Sequence, residues 1–325
     1  MLAYVIRRLL YAAPILLGVN LFTFLLFFGV NSPDDIARMQ LGAKYASAEA
    51  IERWKIERGY DKPMFFNPAR TGAAKLTDTL FVDKSLRMFT LEFGRADDGR
   101  DIAREIRDRM GPSFAIALPT FVLGLFAAIN CALLLVFFRA TALDFWGVVL
   151  CVTMMSISSL FYIIGGQWLV AKLWMLVPIS GYAGGLDMAR FLALPVLLGV
   201  AGGLGSGTRW YRTIFLEEIS RDYVRTARAK GLSELAVLFR HVLKNAMIPV
   251  LTTVVVSIPL LFMGSLLMES FFAIPGLGSY TIDAIRGQDF AIVRAMVFIG
   301  SVFYIAGLIL TDLSYTLVDP RVRLG

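Results

Sequence analysis

The sequence is poor in the residues that do chemistry. His241 is the only histidine in 325 residues, and there are two cysteines. A HExxH zinc site needs two histidines, so it is excluded. Two cysteines cannot staple a chain of this length. Cys131 and Cys151 both fall in apolar runs and read as small buried apolar residues. No GxxxxGK[ST] phosphate loop and no GxSxG nucleophile elbow occurs. Charge is scarce too: 18% of residues are charged and 57% are hydrophobic, against about 25% and 45–50% in soluble domains. An ordinary soluble enzyme and a disordered chain are both excluded.

What the chain has is long stretches free of Asp, Glu, Lys and Arg. They cover residues 9–33, 110–138, 145–171 and 245–268, with two shorter ones at 191–208 and 295–311. A span needs about 17–25 residues. The two short stretches reach that length if Arg190 and Arg294 snorkel from their ends. Six spans are therefore expected. The runs 173–186 and 270–282 carry clustered Pro and Gly and read as loops or re-entrant segments. The first apolar run is too long for a signal-peptide core and lacks a small-x-small cleavage site.

Orientation follows from Lys and Arg in short loops. With the N-terminus inside, 13 basic residues fall in cytoplasmic segments and 4 in short outer loops. Both ends are thus expected in the cytoplasm. The net charge of +7 reads as this bias plus anionic headgroups, with membrane lipid as partner and no nucleic acid. The chain then divides into residues 1–33 (first span), 34–109 (an extracytoplasmic loop with short helices), 110–318 (spans two to six) and a cytoplasmic tail, 319–325. Within 34–109, Ile51–Arg58 is expected to be helical and Gly59–Pro63 to end it. Asp101–Met110 puts Ile102, Ile106 and Met110 on one stripe suited to a membrane surface. Gly111-Pro112 should then turn into span two.

Gly199, Gly203 and Gly207 recur every four residues in span four, so another helix can approach closely. That helix belongs either to the same bundle or to a dimer seam. Glu269 and Asp312 are acids near span ends, and no acid lies mid-span. Glu269 is placed at the outer mouth, where it touches substrate or a delivering protein, or else caps a loop.

The loop 209–245 is polar yet patterned. Leu216, Ile219, Tyr223 and Ala227 recur at helical spacing, with Glu217 and Arg221 as an i,i+4 pair. Gly231 stops that helix. Ser233 caps a second, with Glu234 in its first turn and Leu235, Leu238, Phe239 and Val242 on one face. Two short amphipathic helices hinged at a glycine are expected. Ala227, Ala229 and Gly231 form a flat strip that fits a cytoplasmic partner, or else packs on the chain's own bundle. His241 belongs to the same surface or senses pH.

The residues DYVRTARAKGLSELAVLFRHVLKNAMIPV (Asp222–Val250) resemble the coupling loop of ABC importer permeases of the dipeptide, oligopeptide and nickel group. GSLLMESFFAIPGLG (Gly264–Gly278) is similar to that group's turn after span five, and TDLSYTLVDPRVR (Thr311–Arg323) to its C-terminal ending. MLAYVIRRLL at the start and Gly59–Pro63 resemble the first permease of such operons. The resemblance implies an all-α membrane protein with the six-helix type I importer fold. It implies a subunit that hydrolyses no ATP and binds no cofactor. ATP and Mg would sit on two cytoplasmic ATPases. A second homologous permease and a periplasmic or lipid-anchored binding protein would complete the assembly, in the bacterial inner membrane. On these motifs the ATPase-coupling residues are Asp222, Tyr223, Arg225, Thr226, Ala227, Ala229, Lys230, Gly231, Leu232, His241 and Asn245. Glu269, Pro275, Gly276 and Gly278 would face the outer mouth.

The sequence departs from the broader importer motif in three places. Arg225, Thr226 and Ala227 stand where that motif has Glu-Ala-Ala, the usual form in the peptide group. Lys244 occupies the late proline's place, and Ser156–Tyr162 lacks a mid-span proline. The rival readings are a self-sufficient secondary transporter or channel, an intramembrane enzyme, and a structural protein. The first predicts inverted repeats and broken helices with buried polar sites. The missing catalytic motifs count against the second, and the ordered loop against the third.

Overall fold

The computed structural model describes residues 2–42 and 46–318, and the expected tail at 319–325 lies outside the described residues. The α-helices begin with α1 (Leu2–Val30), α2 (Pro33–Leu41), α3 (Ala48–Arg58), α4 (Ala74–Thr77) and α5 (Leu80–Lys84). They continue with α6 (Ile102–Phe137), α7 (Ala142–Ser156), α8 (Ser159–Gly166), α9 (Met188–Ile219) and α10 (Asp222–Ala229). The last are α11 (Glu234–Val237), α12 (Leu243–Ser257), α13 (Leu266–Phe271), α14 (Leu277–Arg286) and α15 (Phe290–Val318).

Five segments are long and apolar enough to cross a membrane: Ile6–Val30, Ile102–Phe137, Met188–Ile219, Glu234–Phe271 and Phe290–Leu313. A sixth arises if α7 and Ser159–Leu173, bent by 88°, count as one broken span. These fall on the six apolar stretches. The break needs no proline. Ile157 is extended, and the Ser158 hydroxyl starts α8 by accepting the Leu160 N–H at 3.4 Å. The Met154 carbonyl accepts the Ile157 N–H at 3.4 Å and the Tyr162 hydroxyl at 3.0 Å. Serine offers the backbone a local alternative to the helix ladder.

Two sequence expectations are corrected. Gly111-Pro112 does not break the chain into a turn, because α6 continues through it. Proline holds φ at a helical value; the missing donor and the clash with the carbonyl four residues back cost about 3 kcal/mol, and the helix nevertheless continues past Pro112 and Pro119. The run 270–282 is not all loop, since α14 starts at Leu277.

The chain forms two compact units, Met1–Asp108 with Tyr280–Ile305, and Arg109–Ser279 with Ala306–Gly325. In the first, Ser32 and Asp35 form a capping box at α2, with Pro33 in its first turn. Helix α3 ends at Gly59, whose left-handed φ of 65° lets the Tyr60 N–H close back on the Lys55 carbonyl at 2.8 Å. This is the helix and stop expected from Ile51–Pro63. Phe24 and Phe28 of α1 pack with Phe65, Phe81, Trp54 and Tyr60. The buried Asn20 amide donates to the Ser85 carbonyl at 3.0 Å. The polar segment is thus an aromatic-cored body built on α1 and the first turns of α15.

In the second unit, Ala128, Ala132, Leu133 and Val136 of α6 pack with Tyr211, Phe215 and Ile219 of α9. The glycines of α9 serve this packing. A Cβ at Gly199 would come within 2.7 Å of Thr120, and one at Gly207 within 3.0 Å of Ala128. Gly203 has nothing within 4 Å. The closest backbone approach is at Gly205, off the predicted ridge, where a Cβ would meet the Cys151 carbonyl at 2.5 Å.

Candidate functional site

The loop 209–245 begins inside α9, which runs on to Ile219. Arg212 forks Asp144 at 2.9 and 2.7 Å and ties this end of α9 to the start of α7. The predicted helix through Leu216–Ala227 is interrupted at Ser220 and Arg221, and Arg221 pairs with Glu218 at 4.0 Å instead of Glu217. Arg221 has extended backbone and starts α10. Asp222 lies in the first turn, where the helix dipole favours an acid.

Helix α10 has two faces. Val224 and Ala227 are buried in the core made by α6, α9 and α12. Asp222, Arg225, Thr226, Ala229, Lys230 and Gly231 are exposed. The flat strip is therefore split: Ala227 faces the chain's own bundle, and Ala229 and Gly231 face outward. A period of 3.6 puts Val224 and Ala227, three apart, on one side and Ala229 on the other.

The half-buried Tyr223 hydroxyl donates to Glu218 at 2.5 Å. Burial, and then that carboxylate, push its pKa up to about 12. Asn245 is exposed and donates to the His241 carbonyl at 3.0 Å. His241 and Leu232 are half-buried, and Leu232 packs on the same core.

The turn after α10 needs glycine. Gly231 has φ +78°, a conformation L side chains rarely adopt. Its N–H reaches the Arg228 carbonyl at 2.9 Å. Arg228 forks Glu234 across this turn at 2.7 and 3.2 Å, with Arg139 3.8 Å away. The bridge spans six residues through a non-helical turn, so no helical spacing announces it. Ser233 caps the next helix as expected, accepting the Ala236 N–H. That second helix is not short. It continues through a π-turn at Leu238–Val242 into α12 and forms the head of the span Glu234–Phe271. Arg240, His241 and Lys244 hid this continuity, because a charge-free filter starts the span at Asn245.

The second predicted site is corrected. Glu269 does not face an outer mouth; it is 0% exposed. Its carboxylate accepts the Ser113 hydroxyl at 2.8 Å and the N–H groups of Ser265 and Ser279, each at 3.0 Å. Ser113 in turn accepts the Leu277 N–H at 2.7 Å. Gly276 and Gly278 are buried as well, leaving Pro275 as the exposed member. A Cβ at Gly264 or Gly276 would overlap the carboxylate, and one at Gly278 would come within 2.6 Å of the Ser265 carbonyl carbon. The glycines are absent side chains that let a backbone turn wrap an acid. A buried carboxylate is retained only where donors satisfy it, and these donors come from residues far apart in sequence.

These features define a class: a helical, multi-pass membrane subunit with a firmly anchored helix on one loop. Residues 109–324 match the profile of the binding-protein-dependent transport system inner membrane component. Residues 1–84 match that of its N-terminal region. The chain belongs to this family, as an ABC importer permease of the type I transmembrane fold. It is 31% identical, over 99% of both chains, to a Brucella abortus (strain 2308) protein provisionally named a peptide transport system permease. It is 26% identical to the oligopeptide transport system permease protein AppB of Bacillus subtilis (strain 168), over 99% of this chain and all of that one. Identity is also 26% to the dipeptide transport system permease protein DppB of Escherichia coli (strain K12), over 99% of both.

Proposed function

We propose that this chain forms half of the translocation pathway for peptides or peptide-like solutes in a bacterial inner membrane, with both termini in the cytoplasm. It pairs with a second permease. Two ATPases carrying ATP and Mg seat on the loops, and a binding protein delivers cargo on the far side. The cargo class rests on the names of three relatives, which concern peptides, oligopeptides and dipeptides.

The observation that carries the reading is the anchorage of α10. Val224 and Ala227 lock its inner face into the core, and Arg228 clamps it to Glu234 at the head of a span. A push on the exposed face would therefore move a span, with no flexible tether to absorb it. Coupling of this kind needs a stiff lever and no catalytic side chain. The broken span at Ser156–Ser159 is a feature expected of secondary carriers. Ser156 and Ser158 at that break are exposed and uncharged, so the break itself holds no buried charged group of the kind that rival needs.

The test uses the whole transporter in proteoliposomes. Ala229 is helical and exposed, so Ala229→Arg adds bulk without backbone strain. ATP-driven uptake should fall at least about tenfold, the effect of ~1.4 kcal/mol lost at the contact, with insertion unchanged. Uptake at the wild-type rate in both Ala229→Arg and Lys230→Glu would overturn the assignment. Gly231→Arg also blocks uptake, but by strain as well as bulk.

A further inference from the structure

Arg209 stands just past the charge-free run 191–208 of α9, and its side chain turns back into the span. Helix α9 runs antiparallel to α7, since Arg212 meets Asp144 while Gly205 lies against Cys151. Side chains lean toward the N-terminus of their own helix. Arg209 therefore leans away from the Asp144 end of α7 and toward the middle of the span. Its Nη1 reaches the Met155 sulfur at 3.7 Å. Met155 lies well inside the charge-free run 145–171, about 16 Å along α7 from Asp144 at the helical rise.

Asp144 is already taken, by the Arg212 fork and the Ala140 N–H. Among the described residues, the Met155 thioether, a weak acceptor, is the one hydrogen-bond partner of the Arg209 guanidinium, and no ion pair reaches it. Arg209 shares its face of α9 with Gly202, Ser206 and Thr213, at helical spacing, and all four are exposed. The Ser206 and Thr213 hydroxyls donate to carbonyls of their own helix at 3.0 and 3.1 Å, which leaves acceptor lone pairs for water. The lane stops at α8, where a Cβ on Gly202 would lie 3.9 Å from the Tyr162 ring, just past the 88° break. Elsewhere on α9, exposed Leu197 and Trp210 suit lipid. A cation at depth with no counter-charge is costly against lipid, and such groups face the bundle interior or a water-filled cavity.

We propose that this lane lines the cytoplasmic half of the aqueous path through the transporter, and that Arg209 makes it selective for anionic groups. The proposal rests on the importer reading, which supplies the anion: the carboxylate of a peptide-like solute in passage. Arg209 is then a specificity residue, carried on a rigid helix and left unneutralised by its own chain.

The experiment uses the purified full complex in lipid nanodiscs. Ser206→Cys places a thiol one turn from Arg209, in a Cys131→Ser background because Cys131 is exposed. Cys151, 7% exposed, stays masked, and the background protein without the new thiol gives the blank. The probes are two impermeant methanethiosulfonates of similar size, one a sulfonate and one a quaternary ammonium. They react with the thiolate, which forms in water and not in lipid or packed protein. Both should react. Relative to their rates with a free thiol in solution, the sulfonate should gain about tenfold or more over the ammonium, the effect of one fixed charge about 7 Å away. Adding Arg209→Gln should abolish that preference; Arg209 is exposed and makes one weak contact, so the variant folds. No reaction with either probe would put the lane against lipid or the second permease and overturn the proposal. Reaction without a charge preference would mean that a partner's acid neutralises Arg209. A preference that survives Arg209→Gln would belong to another charge. Either result removes Arg209 from selectivity. ATP-driven uptake by the Cys131→Ser parent checks the importer reading separately, whichever result is obtained.

Discussion

Glu269→Gln removes one oxygen from a carboxylate that has no exposed surface and three close donors. One carboxylate oxygen takes the Ser113 hydroxyl and the Ser265 N–H, and the other takes the Ser279 N–H. The glutamine amide can keep its carbonyl at the first position. Its NH₂ then confronts the Ser279 N–H, and no rotation avoids a donor–donor contact. The loss is one hydrogen bond to a charged group plus one unsatisfied buried donor, together about 2–4 kcal/mol. For a unit of this size that is a fall of about 5–10 °C in Tm. Unmasking of Cys151, 7% exposed, to a thiol-reactive dye reports the transition, in a Cys131→Ser background because Cys131 is exposed. Uptake below the new midpoint should remain. If Tm stays within about 1 °C of wild type while uptake is lost, Glu269 acts on cargo or a partner and the buried-turn account is wrong.

Two further predictions follow from packing and charge. Gly205→Ala forces a Cβ onto the Cys151 carbonyl and should cost about 1–3 kcal/mol. Gly203→Ala, with open space around it, should be neutral or stabilising by up to about 1 kcal/mol; the same dye assay separates them. Asp97 titrates at about 6, because burial and the nearby Asp289 outweigh its Arg58 partner. The fold thus favours the protonated acid. Stability contributed at this residue falls as pH rises from the ordinary carboxylate value of 3.8 to about 6, and is level above. Asp97→Asn should erase that slope, on the order of 3 kcal/mol across the window, in pH-dependent thermal melts.

The loop shows how much of the site was legible. The glycine stop at Gly231 and the serine cap at Ser233 were readable because each satisfies a local backbone rule. Which face of α10 looks outward was not. That depends on Val224 meeting α6, α9 and α12, a contact between segments distant in sequence. Arg228 and Glu234 escaped for the same reason. At the second site, the resemblance and the span-end position set Glu269, Pro275, Gly276 and Gly278 at an outer mouth, with a capped loop as the alternative. Burial reversed the mouth assignment, since Ser113, 156 residues away, helps satisfy the carboxylate.

The sequence by itself determined that the chain crosses a membrane several times and that it carries the family's loop and turn motifs. Those follow from composition, hydrophobic run length and local capping, which act over a few residues. Only the tertiary structure decided that the polar segment folds onto α1 and α15 around an aromatic core. It likewise decided that α9 comes against the α7 backbone at Gly205, and that Glu269 lies inside its turn. Those outcomes depend on which surfaces meet, and burial and hydrogen-bond satisfaction are properties of the packed chain.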